Sequence, residues 1–540
     1  MPDLLGAMKQ KLSTTKLVLI LLGLIFVLLI AIPLVSIFWP APAIVVSKET
    51  TYVTGPLDDE GRVDYLAALE QKYFADLPPR ENAAREYVQA FSEGSGFEGV
   101  IRLQVLQRLD LVNDHVQPPF LLDSMEFAEA NLSLVEQTKQ AQGLNFAKPA
   151  ANEFPPPDAA DLSIHWHDVA TLRPWQDDEF SLLAAWLDEQ QQPLAHIRAG
   201  AKLDRCYFPI MGDSPDEPLI FYRMYYTSMR LASHELAVSA MRHLGKGNGQ
   251  QAWKEAITML VSARHLAQQP GLVANLYGIA MDGIALETVL AVMHHGDYTA
   301  EELARMAEQF DQLAPLEPMA EEFRGGERLW MLEVLQAQAS GKVLDDHYMS
   351  EVLSLPGIDW NIVMRMANEQ LNRFEATADA PPGAERDERS KAAKEALDRT
   401  IAEGGNRTKW AASVFSRKSR SELIGSRQMS LLLPAFQAAI HADDQARVRQ
   451  LQARAAIALA QYRAAHGEYP DKLAQLAPEF AAEEPKDYFT GQPLKYLRTA
   501  EGYHLYSVGP NGQDNGGLDA KQDETGTLDY DLHDDCGITV

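Results

Sequence analysis

The sequence predicts a mainly α protein: a helical-hairpin body, tetratricopeptide-like or bundle-like, a small α+β domain near the C-terminus and one N-terminal transmembrane helix. Three observations predict it. Leu17–Trp39 (LVLILLGLIFVLLIAIPLVSIFW) contains no charged residue. Between Phe221 and about Gln338, apolar and small residues recur every three or four positions, the period of one helix face. Beyond Gly467 the texture changes to turns and short stretches rich in aromatic residues.

Taken as a helix rising 1.5 Å per residue, Leu17–Trp39 reaches roughly 34 Å, enough to cross a hydrocarbon core. The apolar region of a cleaved signal is shorter, about 7–15 residues. The proline in Ala41-Pro42-Ala43 also makes a poor cleavage site, so a retained anchor is expected. Lys9, Lys11 and Lys16 precede the span, whereas Pro40–Val46 is uncharged. The positive-inside rule then makes residues 1–16 a cytoplasmic tail and 17–39 a single span of the cytoplasmic membrane, with the bulk of the chain outside the cytoplasm.

With 540 residues, 46% of them hydrophobic, the chain can bury a sizeable core. Its net charge of −28 argues against nucleic acid, whose phosphates require Lys/Arg surfaces. Cys206 and Cys536 are the only cysteines. They make no disulfide framework and no CxxC pair, so two unpaired thiols are expected and a cysteine-built zinc site is excluded.

Residues 40–215 read as a mixed helical and irregular region. Ile44–Thr54 is expected to be extended, Asp64–Phe74 and Glu81–Phe91 helical, and Gln117–Pro174 an irregular connector with one helix near Ser124–Gln142. Asp177–Ala199 reads as helical. Residues 216–376 form the helical-hairpin region: Phe221–Leu244 as one helix, then a stripe of Ala252, Ala256, Leu260, Ala263 and Ala267. After a Pro270-Gly271 break a second stripe runs through Leu272, Leu276, Ile279, Gly283, Leu286, Leu290 and Met293. Short breaks between such helices predict hairpins. Residues 377–428 read as a charged linker and helix, with a basic run from Arg407 to Arg427 that suits a solvated face first, and otherwise lipid headgroups or an acidic partner.

Residues 429–540 are assigned to the α+β domain with an acidic tail. Gln445–Ala465 is an amphipathic helix ended by His466-Gly467. Lys472–Leu476 makes a short helical segment, and Pro493–Leu497 should pair antiparallel with Tyr503–Val508. The helix, the Tyr469-Pro470 turn, Asp487, Gly491, Pro493, Leu494 and Tyr496, and the loop Tyr506, Ser507, Gly509, Gly512, Gly516, Gly517 together resemble the globular domain of type II secretion major pseudopilins. A stretch at Gly55–Leu69 (GPLDDEGRVDYLAAL) is also similar to membrane-anchored proteins of Planctomycetes-type bacteria. The pseudopilin resemblance implies an envelope location and calcium in the loop after the second strand, with Asp514, Asp519, Asp529 and Asp531 as ligands. A solvated acidic tail is the alternative for the same residues. Gly6 is followed by AMKQK without the glutamate a processed pilin needs, so filament assembly is not implied.

Elsewhere no GxSxG, HExxH or P-loop pattern occurs. His165 and His167 in HWHD share a face if the segment is extended, the basis for an alternative reading as a periplasmic metal-dependent hydrolase. His294-His295-Gly296 reads as a helix end, Cys206 as a thiol without an assignable partner, and Trp175, Trp253 and Trp330 as core. The leading expectation is a non-catalytic, membrane-anchored envelope scaffold with an envelope protein partner and a secretion or pilus-like connection.

Overall fold

The computed structural model describes residues 14–91, 99–112, 120–144, 157–210, 223–341, 356–432, 435–500, 502–517, 521–522, 528–529 and 536–539. In chain order the first helices are α1 (Thr14–Phe38), α2 (Tyr65–Tyr73), α3 (Ala84–Ala90), α4 (Gly99–Arg108), α5 (Ser124–Ala130), α6 (Leu132–Ala141), α7 (Ala159–Leu172), α8 (Ser181–Glu189) and α9 (Gln191–Gly200). Then come α10 (Arg223–Gly245), α11 (Gly249–Ala267), α12 (Leu272–His295), α13 (Ala300–Asp311), α14 (Met319–Arg324), α15 (Gly326–Ala339) and α16 (Trp360–Ala378). The last are α17 (Ala384–Gly404), α18 (Arg407–Phe415), α19 (Arg417–Leu432) and α20 (Ala435–His466). The strands are β1 (Lys495–Arg498), β2 (Tyr503–Ser507), β3 (Lys521–Gln522), β4 (Leu528–Asp529) and β5 (Cys536–Thr539).

The chain divides into two compact units. The smaller comprises Met1–Asp64, Met331–Gln370 and Lys394–Pro434, and the larger Tyr65–Trp330, Leu371–Ala393 and Ala435–Val540.

In the smaller unit α1 is long and apolar enough to cross a membrane, and none of its span is buried. The segment after it is clamped to α16 by two asparagines. The Asn361 side chain accepts from Val45 N–H (2.7 Å) and donates to Ala43 C=O (3.0 Å), while Asn368 donates to Thr50 C=O (2.8 Å). Ile44–Thr54 is therefore a compact turn rather than the expected extended stretch: the buried Thr51 hydroxyl bonds within it, to Ser47 and Val53 C=O. The junction of α18 and α19 is held against the end of α1 by buried Arg420. Its guanidinium donates to Ser413 C=O (2.6 Å), Ser36 C=O (2.7 Å) and Gly357 C=O (3.2 Å). Arg417 adds a bond to Trp39 C=O (2.5 Å).

In the larger unit α10, α11 and α12 follow one another across short breaks, at the places the periodicity marks. Gly271 sits at φ 113°, a conformation open to glycine, and starts α12. Gly278 lets α11 and α12 approach closely, since a Cβ there would lie 2.9 Å from Ala263 C=O. The stripe Ala252–Ala267 is buried as expected. Helix α12 departs from its expected single apolar face. It packs against α10, α11, α14 and α20 and is buried on most sides, which is why its composition alone would suit a membrane. The polar residue this burial traps is paired: Asp282 accepts from Arg264 on α11 (2.6 Å) and Gln450 on α20 (3.1 Å).

Two local expectations are corrected. Residues 159–172 are helical, not irregular, because Asp158 and Asp161 form a reciprocal capping box at the start of α7. Helix α20 begins ten residues before the expected start at Gln445, and its Leu451 is 40% exposed, while Ala455 and Leu459 are buried as expected.

The tail packs Ala455, Ala456, Ala458 and Leu459 of α20 against Tyr469, Leu473, Leu476, Leu494, Tyr503 and Leu505. Strands β1 and β2 pair antiparallel, Tyr496 opposite Leu505. A third strand, β5, joins the other edge of β2 with Ile538 opposite Leu505, where only an acidic tail was expected. Asp487 is the hub of this fold. Its Oδ1 accepts from Phe489 N–H, Thr490 N–H and the Thr490 hydroxyl (2.9–3.0 Å), and Oδ2 from Val508 N–H (3.0 Å). One carboxylate thus closes the turn before β1 and pins the end of β2.

Candidate functional site

A cleft of about 440 Å³ opens in the larger unit where α5, α7, α8, α10 and α12 meet. Each wall has a local cause. The Asp123 carboxylate caps α5 by accepting from Met125 N–H (2.8 Å). The Ser163 hydroxyl on α7 donates to Ser124 C=O (3.0 Å) and fixes the two helices together. Trp186 of α8 closes one side, its indole N–H donating to Leu122 C=O (2.8 Å). From α10, Thr227, Arg230, Leu231 and His234 face the cleft at helical spacing, with Arg230 and Thr227 exposed at its mouth. Tyr277 of α12 completes the lining.

Two imidazoles meet inside. His167 lies edge-on to His234 with ring centroids 5.8 Å apart, and edge-on to Trp186 at the same distance. Burial, reinforced by the His234 ring, pulls the His167 pKa down to about 4. Burial and then the Arg230 charge lower that of His234. At neutral pH the cleft therefore presents neutral imidazoles, each offering one N–H donor and one nitrogen acceptor, beside the Arg230 cation and the exposed Asp168 carboxylate. One residue beyond His234, Glu235 is fully buried, and neither carboxyl oxygen has a hydrogen-bond partner among the described residues. Burial, and next the Asp123 charge, raise its pKa well above the ordinary carboxyl range, which favours its protonated form. The arrangement suits recognition of a small polar molecule through mixed donors and acceptors.

Of the two histidines singled out in the sequence, only His167 enters the cleft. Because α7 is a helix, residues two apart point about 200° away from each other, and His165 is exposed on another side. The partner His167 does have, His234, lies on α10, and nothing in the local spacing marks it. Among the described residues no group of three His, Cys, Asp or Glu side chains is placed to hold a metal ion.

The four aspartates expected to bind calcium are only partly described. Asp514 accepts from the Tyr506 hydroxyl (2.9 Å) and Gly516 N–H (3.1 Å), and its Oδ2 lies 3.1 Å from Lys495 Nζ. The Lys495 contact, above all, holds its pKa below the usual carboxylate range. Asp529 ends β4, and Asp519 and Asp531 lie outside the described residues. His294 and His295 stack edge-on at the exposed end of α12, ring centroids 4.5 Å apart. Cys206 is buried and free of a disulfide, and burial pushes its thiol well above its usual pKa, leaving it unreactive. Trp175 and Trp253 are buried as expected, and Trp330 is half-buried.

Compared with known proteins, the chain matches no family model, no curated protein and no solved structure.

Proposed function

We propose that this chain is a non-catalytic, single-pass membrane protein of the cell envelope. Its N-terminus is inside, and its helical body and small sheet domain stand outside the cytoplasmic membrane as a scaffold and partner-binding module. The observation that carries the reading is α1, a helix of 25 residues whose apolar span Val18–Phe38 is not buried by any of the described residues. A soluble fold does not leave such a surface bare. Lys9, Lys11 and Lys16 before the span support the orientation. The resemblance of residues 429–540 to a pseudopilin domain supports a partner of the secretion or pilus class. The cleft supports binding of a polar ligand. The rival metal-dependent hydrolase built on His165 and His167 finds no support in a helix that turns the two rings apart.

The test is photo-crosslinking in the native envelope. Leu497 is 63% exposed on the edge strand β1 and Thr227 is exposed at the cleft mouth. A photo-reactive residue at Leu497 is expected to yield one dominant adduct with another envelope protein. Absence of any adduct at both positions would overturn the scaffold reading.

A further inference from the structure

Helix α18 carries an apolar face that none of the described residues of its own unit buries. Trp410 is 59%, Val414 37% and Phe415 44% exposed, with exposed Ala411 between them. At 3.6 residues per turn these four fall within about 140° of the helix circumference, whereas buried Ser413 lies outside that arc, about 130° from its middle. The helix is firmly started, Asn406 accepting from Thr408 N–H (2.9 Å). It packs against α1. Arg420 bonds to both Ser413 C=O and Ser36 C=O, and Arg417 to Trp39 C=O, so α18 is tethered at the level where the apolar span ends. In a chain of net charge −28, the stretch from Glu403 to Arg427 reverses sign, with six cationic side chains against two glutamates.

We propose that α18 is an interfacial helix that lies on the outer surface of the bilayer crossed by α1. Trp410, Val414 and Phe415 enter the boundary between headgroups and acyl chains, and Arg407, Arg417 and Lys418 meet anionic headgroups. The inference rests on reading α1 as the membrane span. The occupant follows from continuity: whatever solvates α1 up to Phe38 also surrounds a helix packed on its end. Trp and Phe prefer that boundary, and cationic side chains add attraction to anionic lipid.

The test uses the full chain carrying Cys206→Ala and Cys536→Ser, reconstituted in vesicles containing anionic phosphatidylglycerol. A polarity-sensitive fluorophore is attached at Val414→Cys, at Leu28→Cys within α1, or at Glu479→Cys on the exposed tail. At Val414 the dye is expected to be blue-shifted, quenched most by shallow spin-labelled lipids, and several-fold less accessible to an aqueous quencher than at Glu479. At Leu28 it is expected to be quenched most by deep spin labels. A dye at Val414 as accessible to water as at Glu479, with Leu28 deep in lipid, overturns the interfacial helix and leaves the span standing. Protection from water at Val414 without lipid quenching means that protein covers the face, and also overturns the proposal. Failure of lipid quenching at Leu28 removes the span itself, and the inference with it.

Discussion

Replacing Asp282 with leucine is expected to destabilise the helical body by ~3–5 kcal/mol, the cost of leaving a buried charge without its partner. Asp282 is fully buried on α12, and its two oxygens receive Arg264 from α11 and Gln450 from α20. Without the carboxylate, the Arg264 guanidinium keeps its bonds to Leu260 C=O (2.7 Å) and Ala314 C=O (2.6 Å) but loses its counter-charge in a site closed to water. Urea unfolding of the detergent-solubilised chain, followed by helical circular dichroism, reads the loss as a lower midpoint. Arg264→Met combined with Asp282→Leu is expected to recover most of it, because no lone charge then stays buried. A single variant that unfolds at the original midpoint would show that the three helices do not depend on this pair.

Raising the pH from 6.5 to 8.5 is expected to weaken the larger unit, on the order of 2–3 kcal/mol, because native glutamates give up protons that the unfolded chain has already lost. Glu322 and Glu327 are buried beside the start of α12. Glu322 Oε1 accepts from Gly271 N–H (2.6 Å) and Glu327 Oε2 from Leu272 N–H (2.9 Å). Burial, and for Glu322 next the Glu327 charge, lift their pKa values from 4.5 to about 8 and about 7. A carboxyl whose folded pKa is raised contributes stability that is complete below its unfolded pKa and is lost as pH climbs through the folded one. His167 and His265 act oppositely. Burial lowers both from 6.5 to about 4, so they cost stability only as pH falls through that window. At pH 6.5 the unfolded histidines are still about half protonated, so their deprotonation above that pH offsets part of the loss. The part of the slope that Glu322 and Glu327 set is what their replacement removes. Thermal melts at the two pH values check this, and Glu322→Gln with Glu327→Gln should flatten the difference. An unchanged slope in the double variant would contradict it.

Much of the architecture is legible in the sequence because it is local. The three-and-four spacing of Ala252–Ala267, the Pro270-Gly271 break and the glycine after His466 each fix a helix or its end without reference to the rest of the chain. The pairing of β1 with β2 follows from neighbouring aromatic stretches. What stayed hidden depends on distant contacts. Strand β5 is short and follows an acidic stretch, and β2, with which it pairs, precedes that stretch. The burial of α12 on most of its sides depends in part on α20, which lies far along the chain. Helix α7 was obscured by the Pro155–Pro157 run before it, although Asp158 and Asp161 carry a readable start signal. The cleft shows the same limit. His167 stands out in HWHD, but its companions come from other parts of the chain, His234 and Arg230 from α10 and Asp123 from the cap of α5, and share no spacing with it.

The central claim, one span with the body outside, is tested most directly by labelling with a membrane-impermeant maleimide on spheroplasts that express the chain with Cys206→Ala and Cys536→Ser. The account predicts that Glu479→Cys, exposed in the tail, reacts without lysis, and that Lys9→Cys reacts only after the membrane is opened. Labelling of Lys9→Cys in sealed spheroplasts with protection of Glu479→Cys, or recovery of the whole chain in the soluble fraction, would contradict it.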